Sequence, residues 1–153
     1  AATTLASMFA SCFAMEVAPV ITSTSSLTNI SLMFSTCKSL TKVPNFYTNS
    51  VTNFGSTFAS CTSLIDAGSL NAAAATGVSS TFSTCPNLAK GGLVGTNITH
   101  TYANARLSAT ELNTIYTNLS ATGAGKTITV TNNYGAATDT PSIATAKGWT
   151  VTG

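Results

Sequence analysis

"VTNFGSTFASCTSL", residues 51–64, sets Phe58, Cys61 and Leu64 three residues apart. The frame is not unique. "LTNISLMFSTCKSL" at 27–40 carries it as Phe34, Cys37 and Leu40, and "TFSTCPNL" at 81–88 as Phe82, Cys85 and Leu88. Phe9, Cys12 and Met15 open the series, and both the Phe and the Cys columns step by 25, 24 and 24 residues. Leu5, Ile30, Phe54 and Val78 stand four residues before each Phe. A shortened fifth copy, "ITHTYANA", puts Ile98, Tyr102 and Ala105 in the same places after a step of 20. The chain is an internal repeat, and the period has to be read before anything else.

Spacing assigns local structure. Ile30, Phe34 and Cys37 lie at i, i+4 and i+7, which predicts a helical face of about two turns. Asn29 and Asn53 precede two such segments and suit N-caps. After the Cys the period changes: Leu40, Val43 and Phe46, and likewise Leu64, Ala67 and Leu70, predict an extended run, broken in the first case by Pro44. A helical piece and an extended piece in about 24 residues fall in the leucine-rich-repeat range. No unit can bury its own apolar face, so neighbours must stack.

The expected fold is an α/β solenoid. It is a short leucine-rich-repeat array of about five rungs over residues 1–106, right-handed, with a parallel sheet on one side and short helices on the other. Phe9, Phe34, Phe58 and Phe82 should line one interior column, and Cys12, Cys37, Cys61 and Cys85 another as small buried thiols. Helical elements pack about 8–10 Å apart, too far for bridges between rungs, which need Cα atoms within about 7 Å. One Cys per rung without a neighbouring His matches no zinc spacing.

Residues 107–153 leave the repeat and read as an α/β capping segment of the same domain. "SATE" at 108–111 is a capping box, with Ser108 accepting at the helix start and Glu111 reaching back. Leu112, Ile115, Tyr116 and Leu119 form a helical stripe, and "KTITVTN" at 126–132 alternates as a strand. "DTPSIATAKGWTV" gives a second short helix between Pro141 and Gly148, then a last strand from Trp149.

Only 7% of the 153 residues are charged and the net charge is +2, so polarity rests on Ser, Thr and Asn. Six scattered basic residues make no phosphate-binding stripe, which argues against nucleic acid as a partner. No apolar run approaches the roughly 18 residues of a membrane span. The sequence opens at Ala1 inside the repeat pattern, as a processed piece or the ordered part of a longer chain would. A solenoid open at that end has to pack on something, either an upstream domain or another copy, so homo-oligomer formation is an open expectation.

These motifs resemble the BspA-type leucine-rich-repeat family, whose unit reads roughly Val-Thr-Asn-Met-x-x-Met-Phe-x-x-Cys-x-x-Leu. Residues 51–64 match best and 27–40 nearly as well, and the resemblance covers about residues 5–105. Repeat 1 departs from it with "CFAMEVAP", and repeat 4 with Gly91 and Gly92. The tail "LSATELNTIYTNL…ITVTNNYG…PSIATAKGWTVTG" is similar to endings that close such arrays in phage structural proteins. The resemblance implies a non-enzymatic recognition or structural module of a virion, at a phage tail or fibre. The alternative is a bacterial cell-surface adhesin. Its implied location is a virion or extracellular surface, and its implied partners are a host cell-surface glycan or protein, or other virion subunits. It implies no cofactor.

The residues supply little catalytic chemistry. His100 is the one histidine, none of Glu16, Asp66, Glu111 and Asp139 stands in a motif with it, and its slot, that of Ser80, is expected to face solvent. The acids are too dispersed to declare a glycosidase pair. Gly91-Gly92 and Gly123–Gly125 lack phosphate-loop neighbours and read as turns. Sequons at Asn29, Asn97 and Asn118 are what Ser/Thr/Asn-rich sequence produces by chance. Tyr47, outside the core columns and beside Asn45 and Asn49, is the candidate binding residue, able to stack on a sugar or anchor a protein.

Overall fold

The computed structural model describes residues 2–22 and 25–153. Its centre is a column of rings. Phe9 stacks on Phe34 at 5.5 Å, Phe34 on Phe58 and Phe58 on Phe82 at 5.6 Å, and Phe82 on Tyr102 at 5.2 Å. Beside burial, each such pair stabilises by about 0.5–1.5 kcal/mol. Ile30 and Phe54, and Leu40, Leu64 and Leu88, are fully buried in flanking columns.

The segments carrying these rings are not helices, contrary to the spacing. Their N–H groups alternate between two destinations. Ile30, Leu32, Phe34 and Thr36 donate to Asn53, Gly55, Thr57 and Ala59 of the next repeat, at 2.7–3.0 Å. Met33, Ser35 and Cys37 donate three residues back, to Ile30, Leu32 and Phe34, at 3.0–3.1 Å. The turns closed by Met33 and Cys37 have a left-handed third residue, Leu32 and Thr36, as type II turns do. All ten non-glycine residues of positive φ, among them Leu32, Thr36, Ser56, Ser60 and Asn132, stand two places before or after the ring column or its continuation at Val130. Each left-handed residue costs on the order of 1 kcal/mol, which the bond to the next repeat offsets. A chain of such turns returns apolar residues to one side every three to four residues, so it mimics helical spacing. Asn29 and Asn53 cap these turns instead: their Oδ1 atoms accept from Ser31 and Gly55 at 2.9 Å.

The thiols form a second ladder. Cys37, Cys61 and Cys85 are buried, and each Sγ donates to the carbonyl of Phe9, Phe34 or Phe58 in the preceding repeat, at 3.0 Å. Cys12 departs from the expectation and is exposed, with Phe9 half-buried, because the turns of the second repeat cover only one side of the first. All four thiols are free.

On the opposite flank the chain pairs in parallel. β1 (Asp66–Asn71) pairs with β2 (Lys90–Val94), with an irregularity between Asp66 and Ser69, and single bridges join Val17 to Lys42 and Lys42 to Asp66. Gly91 and Gly92 permit a close approach here. A Cβ on Gly91 would lie 2.4 Å from Gly68 O, and one on Gly92 2.4 Å from the Tyr102 hydroxyl. That hydroxyl accepts from the Leu93 N–H at 2.9 Å.

The C-terminal segment both covers and continues the column. α1 (Ala109–Asn118) buries Leu112, Ile115 and Tyr116. Ser108 accepts from the Glu111 N–H at 3.2 Å, but the Glu111 carboxylate does not complete a capping box; it accepts from Gly91 N–H at 2.9 Å. β3 (His100–Thr101), β4 (Thr127–Thr129) and β5 (Thr150–Thr152) form a parallel three-stranded sheet in that order, and α2 (Ser142–Thr145) precedes β5. Tyr102 and Asn104 donate to Thr129 and Thr131 at 2.8 and 2.9 Å, as the ring-bearing turns do. Lys147 Nζ closes the C-terminal end of α1 by donating to the carbonyls of Tyr116, Thr117 and Leu119.

Candidate functional site

Parallel pairing assembles a column that begins five residues after each Cys. Val17, Lys42, Asp66 and Lys90 hold that place in successive repeats, and pairing sets them side by side. Strands in such a ladder run about 4.8 Å apart, so in the backbone register Asp66 stands between Lys42 and Lys90. The Asp66 carboxylate is half-buried and accepts from the Gly68 N–H at 2.9 Å. Lys42 and Lys90 are exposed.

A groove of about 730 Å³ runs over this column. Glu111 and Thr114 of α1 form one wall and Pro44 and Asn45 another. Its volume lies in the range of small-molecule sites. Asn45 is held in place, its Oδ1 accepting from the Ser69 N–H at 3.0 Å. Two ammonium groups, two carboxylates and an amide in one concavity can bind a polar ligand through charge-assisted hydrogen bonds. The groove contains no Ser, Cys or His arranged with a base for nucleophilic attack.

The expected binding trio is divided by the fold. Asn45 lines the groove, whereas Tyr47 and Asn49 line a separate recess of about 270 Å³ with Ser25 and Ser50. Tyr47 is 74% exposed, and Asn49 Oδ1 accepts from Asn71 Nδ2 at 3.3 Å. Sequence reasoning missed Lys42, Asp66, Lys90 and Glu111. The signal for the first three was their constant offset from the Cys column; Glu111 gave none, because its partner Gly91 is a backbone N–H in another repeat.

His100 corrects an expectation. It is buried rather than solvent-facing, because Trp149 closes over it edge-on at 5.7 Å while Tyr102 meets it at 5.4 Å. Its Nδ1 lies 2.7 Å from Ile98 O, its buried Nε2 has no partner among the described residues, and burial lowers its pKa to about 4. Burial likewise pushes the Cys61 and Cys85 thiols up to about 12. Asp139 accepts from the Tyr116 hydroxyl at 2.5 Å. Among the described residues no three His, Cys, Asp or Glu side chains gather as a metal site, and no helix is long and apolar enough to cross a membrane.

No curated protein and no solved structure matches the chain. Residues 2–115, well over half of it, match the family described as "Mycoplasma protein of unknown function, DUF285". The chain, with its column of stacked rings and its charged groove, therefore belongs to the DUF285 family.

Proposed function

We propose that this protein is a non-enzymatic recognition module, built as a short leucine-rich-repeat solenoid of BspA type and carried on the outside of a particle or cell. The groove over Lys42, Asp66 and Lys90 carries this reading, because it gathers two of the six basic and two of the four acidic residues. The remaining chemistry supports binding over catalysis. At neutral pH a histidine of pKa about 4 is uncharged, and thiols near 12 are not nucleophiles.

The C-terminal ending resembles those of phage structural proteins, which favours a tail or fibre as the carrier and a host glycan or protein as the partner. A bacterial surface adhesin is the second reading, favoured by the family's description as a Mycoplasma protein. The test is binding of the purified protein to bacterial and host cells and to arrayed glycans, beside a Lys42→Glu/Lys90→Glu variant. Binding that the variant loses while keeping its melting temperature supports recognition through the groove. Absence of binding together with co-assembly into virions would leave a purely structural role. Antibody labelling of particles against intact cells separates the two carriers.

A further inference from the structure

The ladder between repeats is broken once. At the junctions before it, the N–H groups two places before, at and two places after the ring donate across, as Ser56, Phe58 and Ser60 do to Ser79, Thr81 and Ser83 at 2.8–2.9 Å. Ser80, Phe82 and Thr84 make no such bond among the described residues, and the pattern resumes at Tyr102 and Asn104. The cause is the step of 20, which brings Tyr102 onto Phe82 with four residues fewer to complete the turns. The rings still touch, but their planes open to 23°, against 3–9° elsewhere in the column. A wedge-shaped cleft of about 290 Å³ results, lined by Ser79, Ser80, Phe82, Thr99, His100 and Thr101 among others.

Its walls differ in kind. One carries the N–H donors of Ser80 and Phe82. The other carries the backbone of Thr99 and Thr101, in the places where Gly55 and Thr57 accept from the preceding repeat. His100 also lines the cleft, its Nδ1 held at Ile98 O and its Nε2 buried without a partner among the described residues. With Nδ1–H donating, Nε2 is an acceptor. An anion can only accept, so it would leave Nε2 and the carbonyls unmet; a cation can only donate. A hydroxyl group does both.

We propose that this cleft binds a neutral, polyhydroxylated ligand, a monosaccharide unit of a glycan, bridging the N–H groups of Ser80 and Phe82 to Thr99, Thr101 and His100. This deepens the recognition reading and rests on it for its biological meaning, though not for its chemistry.

The test is titration of the ¹⁵N-labelled whole chain with methyl α-mannoside, methyl β-galactoside and N-acetylglucosamine, followed by NMR. The expected result is a saturable shift of the Ser80 and Phe82 amides with at least one sugar, together with an upfield shift of His100 ¹⁵Nε2 as it gains a donor. Ser79→Trp, which fills the mouth, should abolish the shifts and leave the melting temperature unchanged. No saturable shift at tens of millimolar overturns the proposal, as does a stronger response to inorganic phosphate. Shifts confined to Lys42 and Lys90 also overturn it, while leaving the recognition reading intact. Sugar binding here by a protein that binds no cell or arrayed glycan would sink that reading and leave the cleft.

Discussion

Asn133 Nδ2 donates to the carbonyl of Tyr102 at 2.9 Å, the bond that Cys37, Cys61 and Cys85 make to the Phe of the preceding repeat. Asn133 therefore occupies the thiol's place one repeat further on. It also donates to Val130 O at 2.8 Å and accepts from the Leu107 N–H at 3.0 Å. Asn133→Ala would leave two buried backbone groups unmet, Tyr102 O and Leu107 N–H, while Val130 O keeps the backbone N–H of residue 133 at 3.3 Å, at a cost of about 2 kcal/mol. Urea denaturation checks this, and a loss below about 1 kcal/mol would mean that the turn does not depend on the side chain.

Thiol labelling should divide the four cysteines. Cys12, exposed, should react at once in the native protein, whereas Cys37, Cys61 and Cys85 should react only after denaturation. Desolvation by burial, which pushes Cys61 and Cys85 up to about 12, suppresses the reactive thiolate. Cys61→Leu should overpack the column at about 1–3 kcal/mol, and Cys61→Ser, which keeps the donor to Phe34, should cost less. Native labelling of all four would contradict the ladder.

Stability should fall in mild acid because of His100. The folded state holds its pKa near 4, below the roughly 6.5 of an unfolded chain. Above pH about 6.5 both states are neutral there and the residue confers no pH dependence. As pH falls, the unfolded state takes up the proton first, so stability drops through the window down to about 4, by up to roughly 3 kcal/mol. Unfolding midpoints at pH 7.5 and 4.5 measure the drop, and His100→Phe should shrink it. An equal drop in both proteins would place its origin in the carboxylates.

Lys147 should matter more than a surface lysine. Its ammonium meets three carbonyls at the end of α1, 3.1 Å from Tyr116 and 2.9 Å from Leu119. Lys147→Met keeps the stem but takes the donor from the Thr117 and Leu119 carbonyls beside the negative end of the helix, while Tyr116 O keeps the Leu119 N–H, at a cost of about 2 kcal/mol. Thermal melting reads it, and a variant as stable as wild type would refute the bridging role.

The columns were legible because burial constrains residue type repeatedly: Phe34, Phe58, Cys61 and Leu64 recur in phase and meet in space. The conformation of the turns was not. Apolar spacing reports which side chains face inward, and a run of type II turns delivers the same spacing as a helix. The deciding property, positive φ at Leu32, Thr36 and Ser60, leaves no mark when Leu, Thr and Ser rather than Gly occupy those places. The continuation into Asn133 was hidden for a related reason, since the position requires a donor and not a thiol. Of the groove, Asn45 was found through its neighbours, while Lys42 and Lys90 passed as ordinary surface charge.

The alternation of hydrogen bonds has a directional consequence. Every second peptide unit in the turns points its N–H toward the following repeat and its C=O toward the preceding one. These peptide dipoles add along the stack as they do along a helix axis. The first described turn accordingly presents carbonyls, of Ala6, Met8 and Ala10, that accept no hydrogen bond among the described residues. The column of turns is thus electrically polar along its length. Whatever packs on the first described turn therefore meets a row of acceptors and has to bring donors.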